Sequence, residues 1–279
     1  MKKIVVTGGS GKAGSATIRE LLQHDYEVLN LDIRPPLEQL CAYQTVDLME
    51  LGETIEALHG FDAVVHLAAN PNPSGWTEER MFRHNTTTTY NIFRAAQIVG
   101  MQRVVWASSE TTLGLPFEKV LPTYAPIDEE APLTPESSYA LSKVISEEMA
   151  RQFSRWTGIP HVGLRFSNIM NPADYARFPS YWGDPHARKW NLWGYVDARD
   201  VAQSCRLGLE APITGAEAFI IAAADTVMNR PSANLLADVF PTVPLRETEG
   251  QFGTLLGIQK ARKLLGYAPQ HSWRNHVEE

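Results

Sequence analysis

Three glycines, spaced three residues apart, separate a short apolar run from a helical pattern at the start of this 279-residue chain. Residues 2–7 are apolar and β-branched, which is typical of a buried strand, and residues 12–24 carry a helical pattern. In that context Gly8 permits a tight turn, Gly11 lets a pyrophosphate approach the backbone, and Gly14 lets helix and strand pack closely. The segment therefore predicts a strand–turn–helix unit that binds phosphates at the N-terminus of its helix.

Strand-like and helical patterns then alternate as far as residue 166. Strands are predicted at 2–7, 26–31, 43–46, 63–67, 103–107 and 161–166, and helices at 12–24, 51–59, 77–100 and 136–156. This alternation indicates βαβ units, whose right-handed crossovers place helices on both faces of a parallel sheet. We therefore expect an α/β fold, a Rossmann-type doubly wound parallel sheet.

The pattern becomes irregular after residue 166. Residues 171–194 are rich in proline, aromatic and charged side chains, which fits either a functional loop or a packed cap. Helical patterns return at 198–210, 232–240 and 259–265, with one strand at 218–222. We expect residues 1–279 to form a single unit. Residues 1–166 would be mainly the dinucleotide-binding core, and residues 167–279 mainly a small C-terminal substrate lobe over the sheet edge where open α/β folds bind ligands.

Composition and charge exclude several classes of partner. The net charge of -7 argues against nucleic acid, which requires clustered cations. No apolar run reaches the roughly 20 residues of a membrane span, and the N-terminal run is too short for a signal-peptide core. Cys41 and Cys205 are isolated and lack metal-ligand spacing. We expect reduced thiols, a cytoplasmic location and no metal site.

Tyr139 and Lys143 form a Tyr-x-x-x-Lys pattern inside the predicted helix at 136–156. Residues i and i+4 share one face of a helix, so the phenol and the ammonium group would point into the same space. A nearby positive charge favours phenolate and would lower the pKa of the tyrosine. The pair therefore predicts a proton shuttle for the interconversion of an alcohol and a carbonyl group.

Two acidic residues at strand ends bear on the choice of cofactor. Asp32 closes the second predicted strand, where a carboxylate accepts hydrogen bonds from ribose hydroxyls and repels a 2′-phosphate. This favours NAD over NADP, although Arg34 is placed to accommodate a 2′-phosphate. Asp47 ends the third strand and would contact either the adenine amino group or the start of the following helix.

In combination, these patterns resemble the extended short-chain dehydrogenase/reductase family, the NAD-dependent epimerase/dehydratase group. The matching motifs run over residues 7–14, 66–69, 108–109, 139–143, 164–168, 195–202 and 260–267. The resemblance implies that Ser109 positions the substrate oxygen, that Tyr139 transfers a proton, and that Lys143 binds the nicotinamide ribose. It also implies a cofactor site made of Gly8, Gly11, Lys12, Ala13, Gly14, Asp32, Arg34, Asp47, Leu48, Leu67, Ala68, Ala69, Tyr139, Lys143 and Phe166.

Within that family the chain is most similar to the uronate dehydrogenases, which are short members that oxidise a hexuronic acid. The similarity implies a substrate site of Asn70, Ser109, Glu110, Asn168 and Arg177, with Arg177 as a clamp for a carboxylate. Glu110 stands where that subgroup has asparagine, and a carboxylate there would repel a uronate. The substrate is therefore a small sugar or a sugar acid.

Three functions remain open. The leading one is an NAD-dependent oxidoreductase acting on a CH–OH group. The second is a sugar epimerase or dehydratase that recycles bound NAD, which the short chain disfavours. The third is an NAD(H)-binding regulatory protein without turnover. The family resemblance also implies a homodimer built on the helices predicted at 77–100 and 136–156.

Overall fold

The computed structural model describes residues 1–71 and 75–277, and the described residues form nine strands and seven α-helices. The strands are β1 Lys3–Thr7, β2 Glu27–Asp32, β3 Ala42–Thr45, β4 Ala63–His66, β5 Arg103–Ser109, β6 His161–Phe166, β7 Ile169–Met170, β8 Val196–Asp197 and β9 Ala216–Ile221. The α-helices are α1 Lys12–Gln23, α2 Leu51–Leu58, α3 Glu78–Val99, α4 Ser138–Thr157, α5 Ala198–Glu210, α6 Ser232–Val239 and α7 Gln259–Leu265. Short 3₁₀ helices span Glu110–Leu113, Pro172–Tyr181, Lys189–Asn191 and Trp273–Asn275.

Seven strands form one parallel sheet in the order β3-β2-β1-β4-β5-β6-β9. The order reverses between β1 and β4, which is the switch point where doubly wound folds bind ligands. Central strands such as β4 and β6 are buried along their whole length, whereas the edge strand β3 is largely exposed. The predicted fold class is confirmed.

Side chains on the sheet alternate between two apolar layers. Ile4 and Val6 pack in the layer that includes α1 and α5, and Val5 packs in the layer of α3 and α4. This is the period-2 pattern of a strand that is covered on both faces. Because α5 packs on α1 and β9 extends the sheet beyond β6, two elements that follow residue 166 complete the core. The dinucleotide-binding core therefore includes more of the chain than residues 1–166.

The irregular segment at 171–194 lies between β7 and β8, which pair with each other in parallel. Its aromatic residues Tyr175, Phe178 and Trp193 are fully buried. The ring of Phe178 lies 5.4 Å from that of Tyr175 and 6.0 Å from that of Trp273, centroid to centroid. The segment is therefore a packed cap whose aromatic side chains belong to the core.

No helix in the described ranges is both long enough and apolar enough to cross a membrane.

Candidate active site

The glycine-rich turn is closely packed at all three predicted glycines, and least so at Gly11. Gly8 has a φ of +69°, and a Cβ there would lie 2.7 Å from the backbone nitrogen of Ala68. A Cβ at Gly14 would lie 2.1 Å from the carbonyl oxygen of Gly8. At Gly11 the nearest atom would be 3.3 Å away, and this residue begins α1 without a side-chain cap. Uncapped N–H groups at the start of a helix fit a bound phosphate.

Asp32 is tied to this turn by backbone hydrogen bonds. Its Oδ2 accepts from the Ser10 nitrogen at 3.1 Å, and its Oδ1 accepts from the Arg34 nitrogen at 3.1 Å. The carboxylate therefore stands beside the phosphate cradle, where it suits a ribose, while Arg34 is exposed. Asp47 is also exposed, and its Oδ1 accepts from the Met49 nitrogen at 2.9 Å, which stabilises the local turn.

Lys12 reaches away from the turn and contacts the cap. Its Nζ donates to Asp174 Oδ2 at 2.6 Å and to the Ile169 carbonyl oxygen at 3.2 Å. The predicted cofactor lysine thus links the glycine-rich turn to the segment at 171–194. The other predicted cofactor residues line the strand ends or the first turn of α1, and they are partly or fully buried: Ala13, Leu48, Leu67, Ala68, Ala69 and Phe166.

Asn70 is fixed by a buried side chain of α3. Asn85 Oδ1 accepts from the Asn70 nitrogen at 3.0 Å, and Asn85 Nδ2 donates to the Asn70 carbonyl oxygen at 3.1 Å. The backbone that follows β4 is therefore anchored where it approaches the glycine-rich turn.

The predicted catalytic residues meet at the end of β5. Ser109 caps the 3₁₀ helix Glu110–Leu113, and its hydroxyl lies near the phenol of Tyr139, in the first turn of α4, whose pKa it lowers. Lys143 is buried one helical turn later, with its Nζ 5.7 Å from the centroid of the Tyr139 ring. That Nζ donates to the Ala107 carbonyl oxygen at 2.8 Å. The structure thus brings all three residues together.

The pKa values at this site are set mainly by burial. Tyr139 as a whole is half-buried, but its hydroxyl end is enclosed, and this burial raises its pKa to about 12. The nearby charge of Glu110 raises it further, and the Ser109 hydroxyl opposes the change. Burial lowers the pKa of Lys143 to about 8. The expectation of a lowered tyrosine pKa is therefore wrong for this structure, because desolvation of the phenolate is the largest effect.

A second group of polar side chains lies directly beside Ser109. We call Glu110, Ser167, Arg188 and Asn191 the Glu110 cluster; all four are at least nine-tenths buried. Asn191 Nδ2 donates to Glu110 Oε1 at 3.3 Å, and the Ser167 hydroxyl approaches the same carboxyl group without reaching hydrogen-bond geometry. Burial raises the pKa of Glu110 to about 7, against the opposing effects of Ser167, Asn191 and the Arg188 charge.

A strained backbone turn positions Arg188 and Asn191 of this cluster. Leu192 and Trp193 have φ values of 53° and 55°, in the left-handed region that costs a non-glycine residue about 1–3 kcal/mol. The turn they form lets the Gly194 carbonyl oxygen accept from Arg188 Nη2 at 3.1 Å and from Asn191 Nδ2 at 2.9 Å. Strain of this kind concentrates at functional sites, which agrees with the position of the turn.

The arginine that faces the site is not the predicted one. Arg177 is exposed, and its guanidinium makes no hydrogen bond or ion pair within the described residues, whereas Arg188 is buried and donates to Asn168 Oδ1 at 3.3 Å. The guanidinium carbon of Arg188 lies 4.8 Å from the Trp190 ring and 5.5 Å from that of Tyr181. The aromatic-rich composition of residues 171–194 indicated a functional loop or a packed cap. It did not indicate that Arg188 points inward, because short 3₁₀ turns give no long periodic pattern in the sequence.

The opposite side of the β5 end contains an ion pair that the sequence analysis also missed. Glu147 of α4 accepts from Arg165 Nε at 2.9 Å, from Arg165 Nη2 at 2.8 Å and from Ser108 Oγ at 2.7 Å. We call Ser108, Glu147 and Arg165 the clamp, because they join β5, α4 and β6. Glu147 follows Lys143 by four residues, so helical spacing could have identified it.

Two cavities open on the C-terminal lobe, away from these residues. One, of about 300 Å³, is lined by residues such as Asp128, Arg246 and Lys260, and the other, of about 350 Å³, by residues such as Asp225 and His271. Neither includes a predicted catalytic residue. Among the residues with described positions, no three His, Cys, Asp or Glu side chains are grouped to bind a metal. The candidate site is therefore defined by its side-chain arrangement.

Comparison with known proteins identifies the family of the chain. The model of the NAD dependent epimerase/dehydratase family matches residues 4–222. This range covers most of the chain and includes all of the predicted catalytic and substrate-binding residues.

Individual relatives divide between two activities. A protein named putative UDP-glucose 4-epimerase from Methanocaldococcus jannaschii is 32% identical over 60% of this chain and 55% of its own length. L-arabinose 1-dehydrogenase (NAD(P)(+)) from Haloferax volcanii is 31% identical over 63% of this chain and 70% of its own. Uronate dehydrogenase from Pseudomonas syringae pv. tomato is 29% identical over 64% of each chain. The chain thus spans little more than half the length of the first of these relatives.

Solved structures agree on the fold. UDP-N-acetylglucosamine 4-epimerase from Bacillus cereus superposes with a TM-score of 0.73 and 21% identity, over 99% of this chain and 96% of its own. A 4-epimerase of similar size has the same architecture, so chain length does not separate an epimerase from a dehydrogenase. The expectation that a short chain disfavours an epimerase is therefore wrong.

Proposed function

The chain belongs to the NAD-dependent epimerase/dehydratase family, and on that premise we propose that it is an NAD-dependent oxidoreductase acting on a CH–OH group of a small sugar or sugar acid. The observation that supports this most directly is that the Ser109 hydroxyl and the buried Lys143 ammonium group both lie close to Tyr139. A hydroxyl, a phenol and an ammonium group in this order can orient an alcohol and take its proton.

In the proposed reaction Ser109 Oγ hydrogen-bonds the substrate oxygen, and Tyr139 Oη receives the hydroxyl proton as the C–H bond breaks. Bound NAD supplies the acceptor for the hydride. Because burial raises the pKa of Tyr139 to about 12, the phenol must first release its own proton to solvent water before it can act as a base. Lys143 stabilises the resulting negative charge on the tyrosine oxygen.

The residues of the first βαβ unit fit the cofactor. The uncapped start of α1 at Gly11 would bind the pyrophosphate, and Asp32 would accept hydrogen bonds from the adenosine ribose hydroxyls. The position of Asp32 supports NAD over NADP, since a carboxylate there repels a 2′-phosphate.

The polar side chains at the substrate end support a hydroxyl-rich ligand. Polar groups of Glu110, Asn168, Asn191 and Arg188 connect to Ser109 through neighbouring residues and hydrogen bonds. Buried polar atoms at this spacing suit a molecule with several hydroxyl groups. The similarity to an arabinose dehydrogenase and to a uronate dehydrogenase supports the same substrate class.

The alternative is a sugar epimerase that oxidises and then reduces its substrate on the same bound NAD. The similarity to a putative UDP-glucose 4-epimerase favours it, and the catalytic trio suits either reaction. The two functions differ in net chemistry, because only the dehydrogenase accumulates NADH.

The test is to incubate the purified protein with NAD and separate panels of free sugars, uronic acids and nucleotide sugars. We expect NADH absorbance with a free sugar or a sugar acid. Conversion of a nucleotide sugar on chromatography, without NADH from any panel, would instead establish the epimerase.

We also propose that the protein forms a homodimer through α3 and α4. These helices pack side by side and leave Tyr90, Leu141 and Trp156 between 42% and 54% exposed. Large apolar side chains on neighbouring surface helices suit an isologous interface. Light scattering should give twice the chain mass, and Trp156→Glu should reduce it to that of one chain.

A further inference from the structure

We propose that the Glu110 cluster makes the site selective for an uncharged, hydroxyl-rich sugar over the corresponding sugar acid, with Glu110 as the specificity-determining residue. This inference rests on the proposed function and narrows its substrate class from two possibilities to one.

The first argument concerns charge. Arg188 is 6% exposed and Glu110 is 3% exposed, and each charge affects the protonation of the other. Within the described residues Glu110 and Arg188 form no direct ion pair. Asn191 connects them, because it donates one hydrogen bond to Glu110 and another to the Gly194 carbonyl oxygen, which also accepts from Arg188. Glu110 therefore compensates the buried Arg188 charge, which could otherwise attract a carboxylate, and Glu110 would itself repel that carboxylate.

The second argument concerns unpaired hydrogen-bonding atoms. Four buried side-chain atoms of the cluster have no partner in the described structure, namely Glu110 Oε2, Ser167 Oγ, Arg188 Nε and Asn191 Oδ1. Two of these are acceptors when Glu110 is ionised, one is a hydroxyl group, and one is a donor. A sugar hydroxyl can donate and accept, whereas a carboxylate can only accept. A neutral sugar therefore satisfies this set more completely than a sugar acid.

The third argument concerns rigidity. Arg188 stacks near two aromatic rings, and the strained turn at Leu192 and Trp193 directs the Gly194 carbonyl oxygen toward it. Rotation of Arg188 out of the cluster to meet a distant anion would give up these contacts. Arg188 is therefore held beside Glu110, which compensates its charge.

The selectivity should depend on pH, because protonation of Glu110 removes the compensating charge. The groups that face Glu110 are Arg188 and Tyr139, together with the uncharged Ser167, Asn168 and Asn191. Burial raises the pKa of Glu110 to about 7, whereas that of Tyr139 is about 12 and that of Lys143 is about 8, so a change in selectivity centred near pH 7 identifies Glu110.

The experiment measures kcat/KM with NAD for matched pairs that differ only at C6, such as galactose with galacturonic acid and glucose with glucuronic acid. For the unmodified protein above about pH 8 we expect the neutral sugar to be preferred by about tenfold or more, since like charges repel strongly in a buried site. As the pH falls below about 6, the relative activity on the acid should rise.

Glu110→Gln should raise the acid-to-neutral ratio by about tenfold and remove its pH dependence. Arg188→Gln should shift the ratio in the opposite direction. Glu118→Gln, which alters an exposed glutamate in the same part of the chain, is the matched control.

The pH profile of the unmodified protein needs no variant, so it remains decisive if Glu110→Gln does not fold. Preference for the acid at high pH, or a ratio unchanged by both pH and Glu110→Gln, would overturn the inference while leaving an oxidoreductase in place. Failure of every free sugar and sugar acid to give NADH would overturn the inference and the proposed function together.

Discussion

Two buried glutamates on either side of the β5 end have the same exposure, 3%, and very different surroundings. Glu147 belongs to the clamp and has both carboxylate oxygens bound, by Arg165 and Ser108. Glu110 belongs to the Glu110 cluster and has one oxygen without a partner and a raised pKa. The two carboxylates are equally buried but differ in their hydrogen-bond partners. Glu147, which is fully paired, stabilises the fold, whereas Glu110 keeps an oxygen available to a ligand.

The comparison predicts that substitutions near the ligand reduce the rate, while substitutions in the clamp reduce stability. Tyr139→Phe is the strongest test on the ligand side. We expect kcat to fall about 10²- to 10⁴-fold, because the proton acceptor is removed. NAD affinity, measured by fluorescence titration, and the denaturant midpoint should stay close to those of the unmodified protein. A variant that kept most of its activity would contradict the role of Tyr139.

Glu147→Ala is the matching test in the clamp. It leaves the Arg165 charge buried and unpaired, which should lower the free energy of unfolding by about 3–5 kcal/mol in a urea titration. The neighbouring Glu148→Ala is the control, since Glu148 is exposed and pairs only at the surface with Arg151. If both variants lost similar stability, the clamp would not be the structural element described above.

Glu110→Gln should change the pH dependence of stability. Burial raises the pKa of Glu110 from its ordinary 4.5 to about 7, so the folded protein binds this proton more tightly than the unfolded chain does. The stabilisation is complete below pH 4.5 and is lost as the pH rises through 7. The unmodified protein should therefore lose about 3 kcal/mol relative to Glu110→Gln across that window. Parallel stability curves for the two proteins would show that Glu110 titrates normally.

Asp32→Asn tests a site outside both regions and should have the smallest effect. Without the negative charge, a 2′-phosphate is no longer repelled, so the kcat/KM preference for NAD over NADP should narrow by about tenfold. The neutral asparagine retains an acceptor for the Ser10 nitrogen, which should preserve the turn. An unchanged preference for NAD over NADP would show that Arg34 or another residue, and not Asp32, determines the choice of cofactor.

Local chemistry explains which features could be predicted from sequence. The turn at Gly8, Gly11 and Gly14 requires glycine at fixed positions, a pattern that few other structures need. Tyr139 and Lys143 are four residues apart on one helix, so the helical period places them on the same face. The family and the fold expected from these residues are confirmed, and the NAD dependence of the family agrees with the expected cofactor. The role of each individual site residue stays a prediction.

The features that sequence reasoning missed depend on long-range geometry. The inward position of Arg188 requires two left-handed residues and a 3₁₀ turn, neither of which gives a periodic signal. The pairing of Glu147 with Arg165 joins α4 to β6, and the pKa of Tyr139 depends on how deeply its hydroxyl is enclosed. Such properties arise from packing between distant segments, which composition and spacing do not specify.

The cap has a consequence for how new substrates could evolve on this scaffold. Residues 171–194 contribute Tyr175, Phe178 and Trp193 to the core and Arg188 and Asn191 to the site. Exchanging the whole segment would remove core packing along with the recognition groups. Diversification should therefore proceed by single replacements within an otherwise preserved cap, and laboratory libraries directed at such positions should retain more folded members than libraries of grafted loops.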